Sequence, residues 1–506
     1  MTSTVEPEVT TTAGAVRGRR EDGLTVFRGI PYAEPPVGDA RFAAPRPVRG
    51  WDGVREAFRF GPPPPQDTSM FGRATQVTLP EGDDWLTLNV WTPAPDPAAR
   101  RPVLVWIHGG AYKLGFSGSP GYDAKRIARD GDLVVVTINY RLGIEGFARI
   151  EGAPANRGLL DQVAALRWVA ENIAAFGGDA DQVTVVGESA GAGSIAALLA
   201  MPSATGLFRR AVMQSLGGAF FSDDLAADIA AAIAAEIGLR PTVADLSGVD
   251  PRQLPAAGEA LAAKASKYED RWGPAAHSVP FAPVVDGEVL PTDPWRALAG
   301  GAGRDVDLVI GHNRDEYRLF VALAGDLGKV GDDQAALALR VFGPGPDGGQ
   351  AYREAFPDAS AERLYELVNS DWLFRMPALH LADSQVAGGG RVHVYELTWP
   401  APGSGGVFGA CHGLDGPLLF GTFDVHLGPV LLGTEPSAEA KALSAHFRTA
   451  WTAFATTGDP GWPSYDPRQR LVRVFDAEPA VTAYPEEASR RLWQDHRFQA
   501  LPLVTG

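Results

Sequence analysis

The segment VTVVGESAGAGSIAALLA, residues 183–200, constrains this chain more than any other stretch. Its β-branched start reads as a strand and its Ala-rich end as a helix, with only Gly187-Glu188-Ser189-Ala190-Gly191 between them. A chain that passes from strand to helix in so short a space must turn sharply at Ser189. A β-carbon tolerates those backbone angles poorly, and the flanking glycines relieve the crowding. The side chain at the apex then stands above the sheet edge, and the amide of Ala190 at the new helix start points into the same space.

The segments around this turn repeat the alternation. The apolar run VLVWI ends at His108-Gly109-Gly110, and LVVVTINY (residues 133–140) is a further strand. It is followed by LLDQVAALRWVAENIAAFGG, whose apolar residues recur at helical spacing and whose end is marked by Gly177-Gly178. After the central turn come AVMQS, DLVIGH from residue 307 and VHVYELTW from residue 392, then a late amphipathic helix, AEAKALSAHFRTAWTAFATTG. Such an order predicts an α/β fold with a central, mostly parallel sheet flanked by helices. At the N-terminus, EVTTT, AGAVRGRR and the Asp22-Gly23 pair before LTVFRG predict a small antiparallel sheet with a hairpin. Residues 222–279 and 315–387 read as helical insertions over one sheet edge. Although 506 residues would divide into about three domains at roughly 150 each, no repeat or linker interrupts the pattern, so one domain over residues 1–506 is expected.

Composition narrows the partners. With 45% hydrophobic and 21% charged residues the chain can bury a large core. Its 45 basic and 61 acidic residues give −16, which repels nucleic acid and anionic membrane surfaces alike, so neither is an expected partner. The opening MTSTVEPEVT has no basic region followed by an apolar stretch, and nowhere do about 18 apolar residues run together, so no export signal and no membrane span are expected. The single cysteine, Cys411, cannot form an intrachain disulfide, is expected to be a buried inert thiol, and fits a reducing compartment, with the cytoplasm as the expected location. Without an HExxH, a Cys/His cluster or a GxGxxG after a strand, no metal and no cofactor are expected.

A serine at such an apex is inert without a base and without donors for a developing oxyanion. HGGAY, residues 108–112, follows a strand and is built of small residues that let main chain approach a carbonyl, so the amides of Gly110 and Ala111 join that of Ala190 as candidate donors. His108 precedes the glycine turn and reads as structural. The base must follow Ser189, and after it an acid and then a histidine is the usual order in this architecture. His380, His393, His412, His426, His446 and His496 all come late enough. His393 lies in a strand and His446 on a helix border, whereas His412 sits in GACHGLDG, a glycine-flanked loop free to aim an imidazole. The acid belongs at the carboxyl end of a strand, where DLVIGHNRDEY places both Asp315 and Glu316; only one of two adjacent side chains can face the histidine.

FRGIPYAEPPVGDARF, LTLNVWTP, VWIHGGAY, NRGLLDQVAALRWVAENIAAFGGDADQVTVVGESAG, MQS, GHNRDE, ACHGLDGPLLFG and WTAFATTGDPGWPSYD together resemble, in order and over nearly the whole chain, the type-B carboxylesterase/cholinesterase family of α/β-hydrolases, including its bacterial para-nitrobenzyl-esterase-like members. The resemblance implies an α/β-hydrolase fold with Ser189 as nucleophile, Glu316 as acid and His412 as base, and Gly110, Ala111 and Ala190 as the oxyanion hole. It adds Glu188 and Ser215 as supporting residues, and Tyr112, Leu319 and Phe320 as pocket positions. The family's first disulfide would join positions occupied here by Pro65 and Trp85, so that bridge is absent. The loop between them carries no tryptophan, and Leu319 stands where cholinesterases place an aromatic, which disfavours choline esters. Tyr317 replaces a glycine that usually follows the acid, where it either narrows the pocket or packs.

The activity so implied is that of a serine carboxylesterase acting through an acyl-enzyme on small to medium apolar or aromatic esters, a small-molecule substrate, as a monomer or homodimer. Two alternatives stand beside it: an amidase, carbamate hydrolase or lipase with the same three residues, and a non-catalytic cholinesterase-like interaction domain, against which the retained serine argues.

Overall fold

The computed structural model describes residues 6–67 and 79–504. Its main feature is an eleven-stranded sheet whose strands, in chain order, are β1 (Arg19–Glu21), β2 (Leu24–Pro31), β3 (Thr87–Thr92), β4 (Arg101–Ile107), β5 (Val134–Ile138), β6 (Gly178–Glu188), β7 (Arg210–Gln214), β8 (Asp307–Asn313), β9 (Val392–Leu397), β10 (Leu471–Phe475) and β11 (Ala480–Ala483). In space they run β11-β10-β9-β8-β7-β6-β4-β5-β3-β2-β1. From β10 to β5 every neighbouring pair is parallel, and the strands outside that block pair antiparallel. The predicted mostly parallel sheet is therefore the observed one.

Two apolar cores follow from the period of two along each strand. On β4, Val103, Val105 and Ile107 enter one core while Leu104 and Trp106 enter the other, and β5 splits the same way, with Val134, Val136 and Ile138 opposite Val135. Helices cover both faces. The helices α1 (Arg157–Asn172) and α2 (Ala190–Ala200) lie in the first core, where α2 is buried along its whole length. Helix α4 (Ala438–Thr457) packs Leu443, Phe447, Trp451 and Phe454 into the second; α3 (Ala361–Ser370) belongs to the later helical span. α1 passes through a short 3-10 turn and stops at Gly177, whose φ of 88° is the left-handed C-cap that the Gly177-Gly178 pair announced.

The N-terminal prediction needs a correction. The Asp22-Gly23 hairpin forms, yet its strands are β1 and β2 of the large sheet. The small sheet consists of Glu8–Thr10, Ala15–Arg17 and Val54–Glu56, and only its first pair is antiparallel. Val54–Glu56 returns parallel after a long excursion, which local turn chemistry does not reveal. The two spans read as helical do carry helices, among them Asp223–Ala235 and Leu254–Ala262 in the first, and Asp332–Phe342, α3 and Met376–Ala387 in the second. Among the described residues, no helix is long and apolar enough to cross a membrane.

One buried ion pair ties the end of β5 to α1. Arg141 donates to Asp161 from Nε at 2.8 Å and from Nη2 at 2.7 Å, with both side chains fully buried. The Arg141 main-chain amide donates to the same carboxylate at 3.0 Å, and Nη1 reaches the carbonyl of Ala43 at 2.8 Å. Removing one partner leaves an uncompensated charge in the core. Asp161→Ala is expected to cost about 3–5 kcal/mol in urea denaturation, well beyond a surface substitution.

Candidate active site

The turn between β6 and α2 is as tight as its sequence requires. Ser189 has φ 57° and ψ −121°, a strained position for a residue with a β-carbon, costing about 1–3 kcal/mol. Its amide donates to the carbonyl of Gln214 on β7 at 2.9 Å, and its carbonyl accepts from Gly193 at 2.9 Å. Gly187 and Gly191 make the turn possible: a β-carbon on Gly187 would lie 2.6 Å from the Gly191 carbonyl carbon, and one on Gly191 would lie 2.0 Å from the Ile107 oxygen. The helix thus starts directly on the end of β4. Ser189 itself is only partly buried.

The glycine loop after β4 packs against this turn. A β-carbon on Gly109 would stand 2.7 Å from the Glu188 carbonyl oxygen and 3.0 Å from Ser189 Cβ, so only hydrogen fits there. Gly110 and Ala111 both have positive φ, 113° and 54°. Among the described residues the amides of Gly110, Ala111 and Ala190 donate to no protein acceptor, which leaves these NH groups free for a ligand. His108 lies beneath the loop, stacked on Tyr140 with ring centroids 4.4 Å apart, and burial pushes its pKa down to about 4. It is a neutral structural ring, as its position before the glycines suggested.

His412 and Glu316 are brought together across two loops. The imidazole Nδ1 lies 2.7 Å from Glu316 Oε2, and Glu316 is fully buried. The rest of that carboxylate is satisfied by the Asn313 amide, which donates to Oε1 at 2.8 Å. The ring's other nitrogen, Nε2, is 3.1 Å from Glu188 Oε1 without hydrogen-bond alignment. No hydrogen bond joins the ring to Ser189 among the described residues; the neighbour of Nε2 is the Glu188 carboxylate. Burial disfavours an imidazolium here, but the two carboxylates and Asp415 outweigh it and push His412 up to about 9. Burial pushes Glu188 up to about 7, with His412 opposing and Asp415 and Glu316 reinforcing that rise.

Of the adjacent acidic pair, it is therefore Glu316 that meets the histidine, while Asp315 turns to the Ala410 amide at 3.1 Å. The other candidate histidines sit elsewhere: His393 Nδ1 is 2.9 Å from the Trp462 carbonyl oxygen, and His380 and His496 pack against Phe498. Ser215 is buried just past β7, its amide on the Gly311 carbonyl at 2.8 Å, and its hydroxyl makes no hydrogen bond among the described residues. Cys411 is a buried thiol whose pKa burial raises.

Of the three pocket positions, Phe320 lies 5.2 Å from the His412 ring. Tyr112 has φ 58°, which turns its ring under the loop onto Phe147, and a β-carbon on Gly193 would meet its hydroxyl at 2.3 Å. It is a core residue beneath α2. Leu319 is buried in the second core. Tyr317 packs between Phe320 and Tyr365. The predicted loop of residues 66–84 lies partly outside the described residues.

Two residues near the site escaped the sequence reading. Phe374, in a π-helical turn (Asp371–Arg375), sits 4.4 Å from the His412 ring and stacks with Phe320 at 6.0 Å. Asp415 is fully buried and accepts from Gln214 Nε2 at 2.6 Å. The GLDG that carries Asp415 was visible in the sequence, but nothing in it showed the carboxylate facing inward. Among the described residues no group of His, Cys, Asp and Glu is arranged to hold a metal ion.

A parallel sheet with a strained serine turn at its carboxyl edge, free amides beside it and a carboxylate-bound imidazole defines a hydrolase of the α/β class. A crystal structure of a Geobacillus stearothermophilus carboxylesterase at pH 6.2 superposes with a TM-score of 0.84 and 38% identity, covering 96% of this chain and 100% of that one. A solved PNB esterase superposes with a TM-score of 0.85 and 35% identity, covering 96% and 99%. The fold is the α/β-hydrolase fold. The Carboxylesterase family model matches residues 5–342 and 347–493. In sequence the chain is 37% identical over 494 residues to the para-nitrobenzyl esterase of Bacillus subtilis (strain 168), covering 96% of this chain and 97% of that protein. It is 37% identical over 491 residues to the phenmedipham hydrolase of Pseudarthrobacter oxydans, covering 94% and 96%. The chain belongs to the carboxylesterase family and is a carboxylic ester hydrolase.

The charges around His412 make its titration a direct test of the geometry. In NMR spectra of histidine-labelled protein the His412 ring is expected to titrate above 6.5, toward about 9. Glu188→Gln removes an opposite charge in direct contact and lowers that midpoint by about 1 unit or more. A wild-type midpoint at or below 6.5 contradicts the arrangement.

Proposed function

We propose that the chain hydrolyses small to medium apolar or aromatic carboxylic esters by two-step acyl transfer, with Ser189 as nucleophile, His412 as base and Glu316 as the acid that orients it. The observation that carries this reading is the 2.7 Å contact of His412 Nδ1 with buried Glu316, on a ring whose opposite nitrogen lies 3.1 Å from the carboxylate of Glu188, the residue before Ser189. The resting ring, between Glu316 and Glu188, holds two protons. Loss of the Nε2 proton frees that nitrogen to turn from Glu188 to Ser189 Oγ, a hydrogen bond that is often long in an unliganded hydrolase and tightens around substrate.

In the first step Ser189 Oγ attacks the ester carbonyl carbon while His412 Nε2 takes its proton. The carbonyl oxygen becomes an oxyanion, for which the free amides of Gly110, Ala111 and Ala190 are the proposed donors; losing one such donor costs about 2.7–4 kcal/mol of transition-state stabilisation. The imidazolium then protonates the departing alcohol as the carbon–oxygen bond breaks. Water attacks the acyl-serine with the same ring as base, and Ser189 leaves with the returned proton. Glu316 keeps Nδ1 protonated and stabilises the cation, as a buried acid beside a catalytic imidazole does.

Phe320 and Phe374 support the substrate class, because they set aromatic surface against the base where one arm of an ester would lie. The relative named for a para-nitrobenzyl ester points the same way. One chain carries every residue of the proposed site, which suits a monomer or homodimer. The buried free thiol of Cys411 suits the cytoplasm. The two helical spans, in this reading, are insertions of a single catalytic domain.

An organophosphate is expected to label Ser189 once per chain and stop turnover. Ser189→Ala should lower kcat on a short aryl ester about 10⁶-fold, the scale of a nucleophile deletion in a serine protease. A chain-length series with matched anilides measures the bond preference, esters being expected to lead. No turnover of any short aryl ester over pH 6–9, with no label, refutes the reading.

Turnover should also follow the base. Because His412 must be neutral to accept the Ser189 proton and its pKa is raised to about 9, kcat/KM is expected to rise with pH up to and through that value. A plateau reached by pH 7 would contradict it.

A further inference from the structure

Asp315 is the neighbour that does not meet His412, and the structure gives it a different set of partners. Its Oδ2 accepts from the Ala410 amide at 3.1 Å, and its own amide donates back to the Ala410 carbonyl at 2.9 Å. These two bonds join the loop of residues 313–316 to the loop that carries His412, two residues before the imidazole. Packing there is close enough that a β-carbon on Gly409, at φ 57°, would lie 2.7 Å from Asp315 Oδ2. Oδ1 is held from the other side by Arg363 of α3, whose Nη1 donates at 3.0 Å, and Arg314 Nε lies 3.5 Å from Oδ2. The side chain is 9% exposed, so little water competes for it.

The same two loops meet at further points. The His412 amide donates to the Glu316 carbonyl at 3.2 Å, and Asn313 Nδ2 donates to the Cys411 carbonyl at 2.7 Å. Asp315 differs from these contacts because it is a charged acceptor tied to a separate element. Its Arg363 partner also reaches Glu366 at 3.4 Å, and Ser370, at the end of α3, accepts from the Tyr317 amide at 3.0 Å. Through these bonds one face of α3 splints the acid loop.

We propose that Asp315 is a positioning residue: held by Arg363 of the helical span, it clamps the Ala410 amide and so sets the distance between Glu316 and His412. The proposal rests on the esterase reading and adds a residue to it. Among the described residues no hydrogen bond joins Asp315 to the imidazole or the serine. Its effect passes through the loop, where a displacement of about 1 Å at the base can cost about 10²-fold in rate. If the loop loosens, the ring loses part of its contact with Glu316, one of the three carboxylates facing it, the others being Glu188 and Asp415. Its midpoint must then fall.

The test compares wild type, Asp315→Ala, Asp315→Asn and Arg363→Ala, with kcat normalised to sites titrated by organophosphate so that unfolded chains do not count. Asp315→Ala is expected to lower kcat about 10- to 100-fold with KM within about twofold, and to shift the pH midpoint downward. Asp315→Asn keeps an oxygen for the Ala410 amide and should retain kcat within about threefold of wild type. Arg363→Ala should give an intermediate loss with the same direction of midpoint shift.

A merely structural residue would lower thermal stability yet leave both normalised kcat and midpoint unchanged; that result in Asp315→Ala overturns the proposal, as does Asp315→Asn behaving like Asp315→Ala. Should Asp315→Ala not fold, an unmoved midpoint in Arg363→Ala overturns it equally. A wild-type protein with neither turnover nor label fails earlier: it refutes the esterase reading, and the clamp falls with it.

Discussion

The backbone at Ser189 is the constraint on which the remaining structure depends. A residue with a β-carbon at φ 57° and ψ −121° is held there only because its surroundings permit no alternative. The strand before it is locked between parallel neighbours, and the helix after it begins against the Ile107 carbonyl with no room for a side chain at Gly191. Gly109 completes the enclosure by resting on Glu188 and Ser189. In the same close packing the amides of Ala190, Gly110 and Ala111 are left without a protein acceptor among the described residues. Strain, free donors and serine are consequences of one meeting of strand ends, and it is the parallel order of the sheet that brings those ends to the same edge.

Electrostatics set the second requirement. A buried imidazole would ordinarily be neutral, as His108 and His312 are, with burial pushing them down to about 4 and about 3. His412 goes the other way because Glu188, Glu316 and Asp415 surround it. Mutual repulsion among those carboxylates is tolerable only with a cation among them, and burial raises Glu188 and Asp415 so that their protons are held more tightly. The aromatic rings of Phe320 and Phe374 pack against the imidazole. In this largely buried group water screens the charges less than it would at the surface.

Much of the architecture was legible because it is written in local periods. The strand at residues 103–107 alternates between two cores, and α1 ends where Gly177 adopts a left-handed angle, as its pattern announces. The turn at Ser189 was equally plain, since the glycines that permit it are adjacent to it. The small N-terminal sheet was less so: Val54–Glu56 pairs in parallel with residues some forty positions earlier, and no turn signal records such a return. The surroundings of Tyr112 were equally hidden, because its positive φ and its ring contact with Phe147 belong to the folded loop. Phe374 could not be found at all, for it comes from a π-helical turn more than a hundred and fifty residues from Ser189.

What the amino-acid order alone determined is the set of elements and the reactive turn, because both depend on neighbours within a few positions: a β-branched run, two glycines, an Ala-rich helix. It also narrowed the candidate base to a few histidines and the candidate acid to two adjacent carboxylates. Only tertiary structure shows which carboxylate meets an imidazole. Asp315 and Glu316 share a loop and a charge, and their fates differ because one faces Ala410 and Arg363 while the other faces the imidazole. That choice depends on where β8 and β9 end relative to each other and on how the His412 loop folds back. Distances between atoms far apart in the chain arise only when the sheet has formed, and no local pattern encodes them.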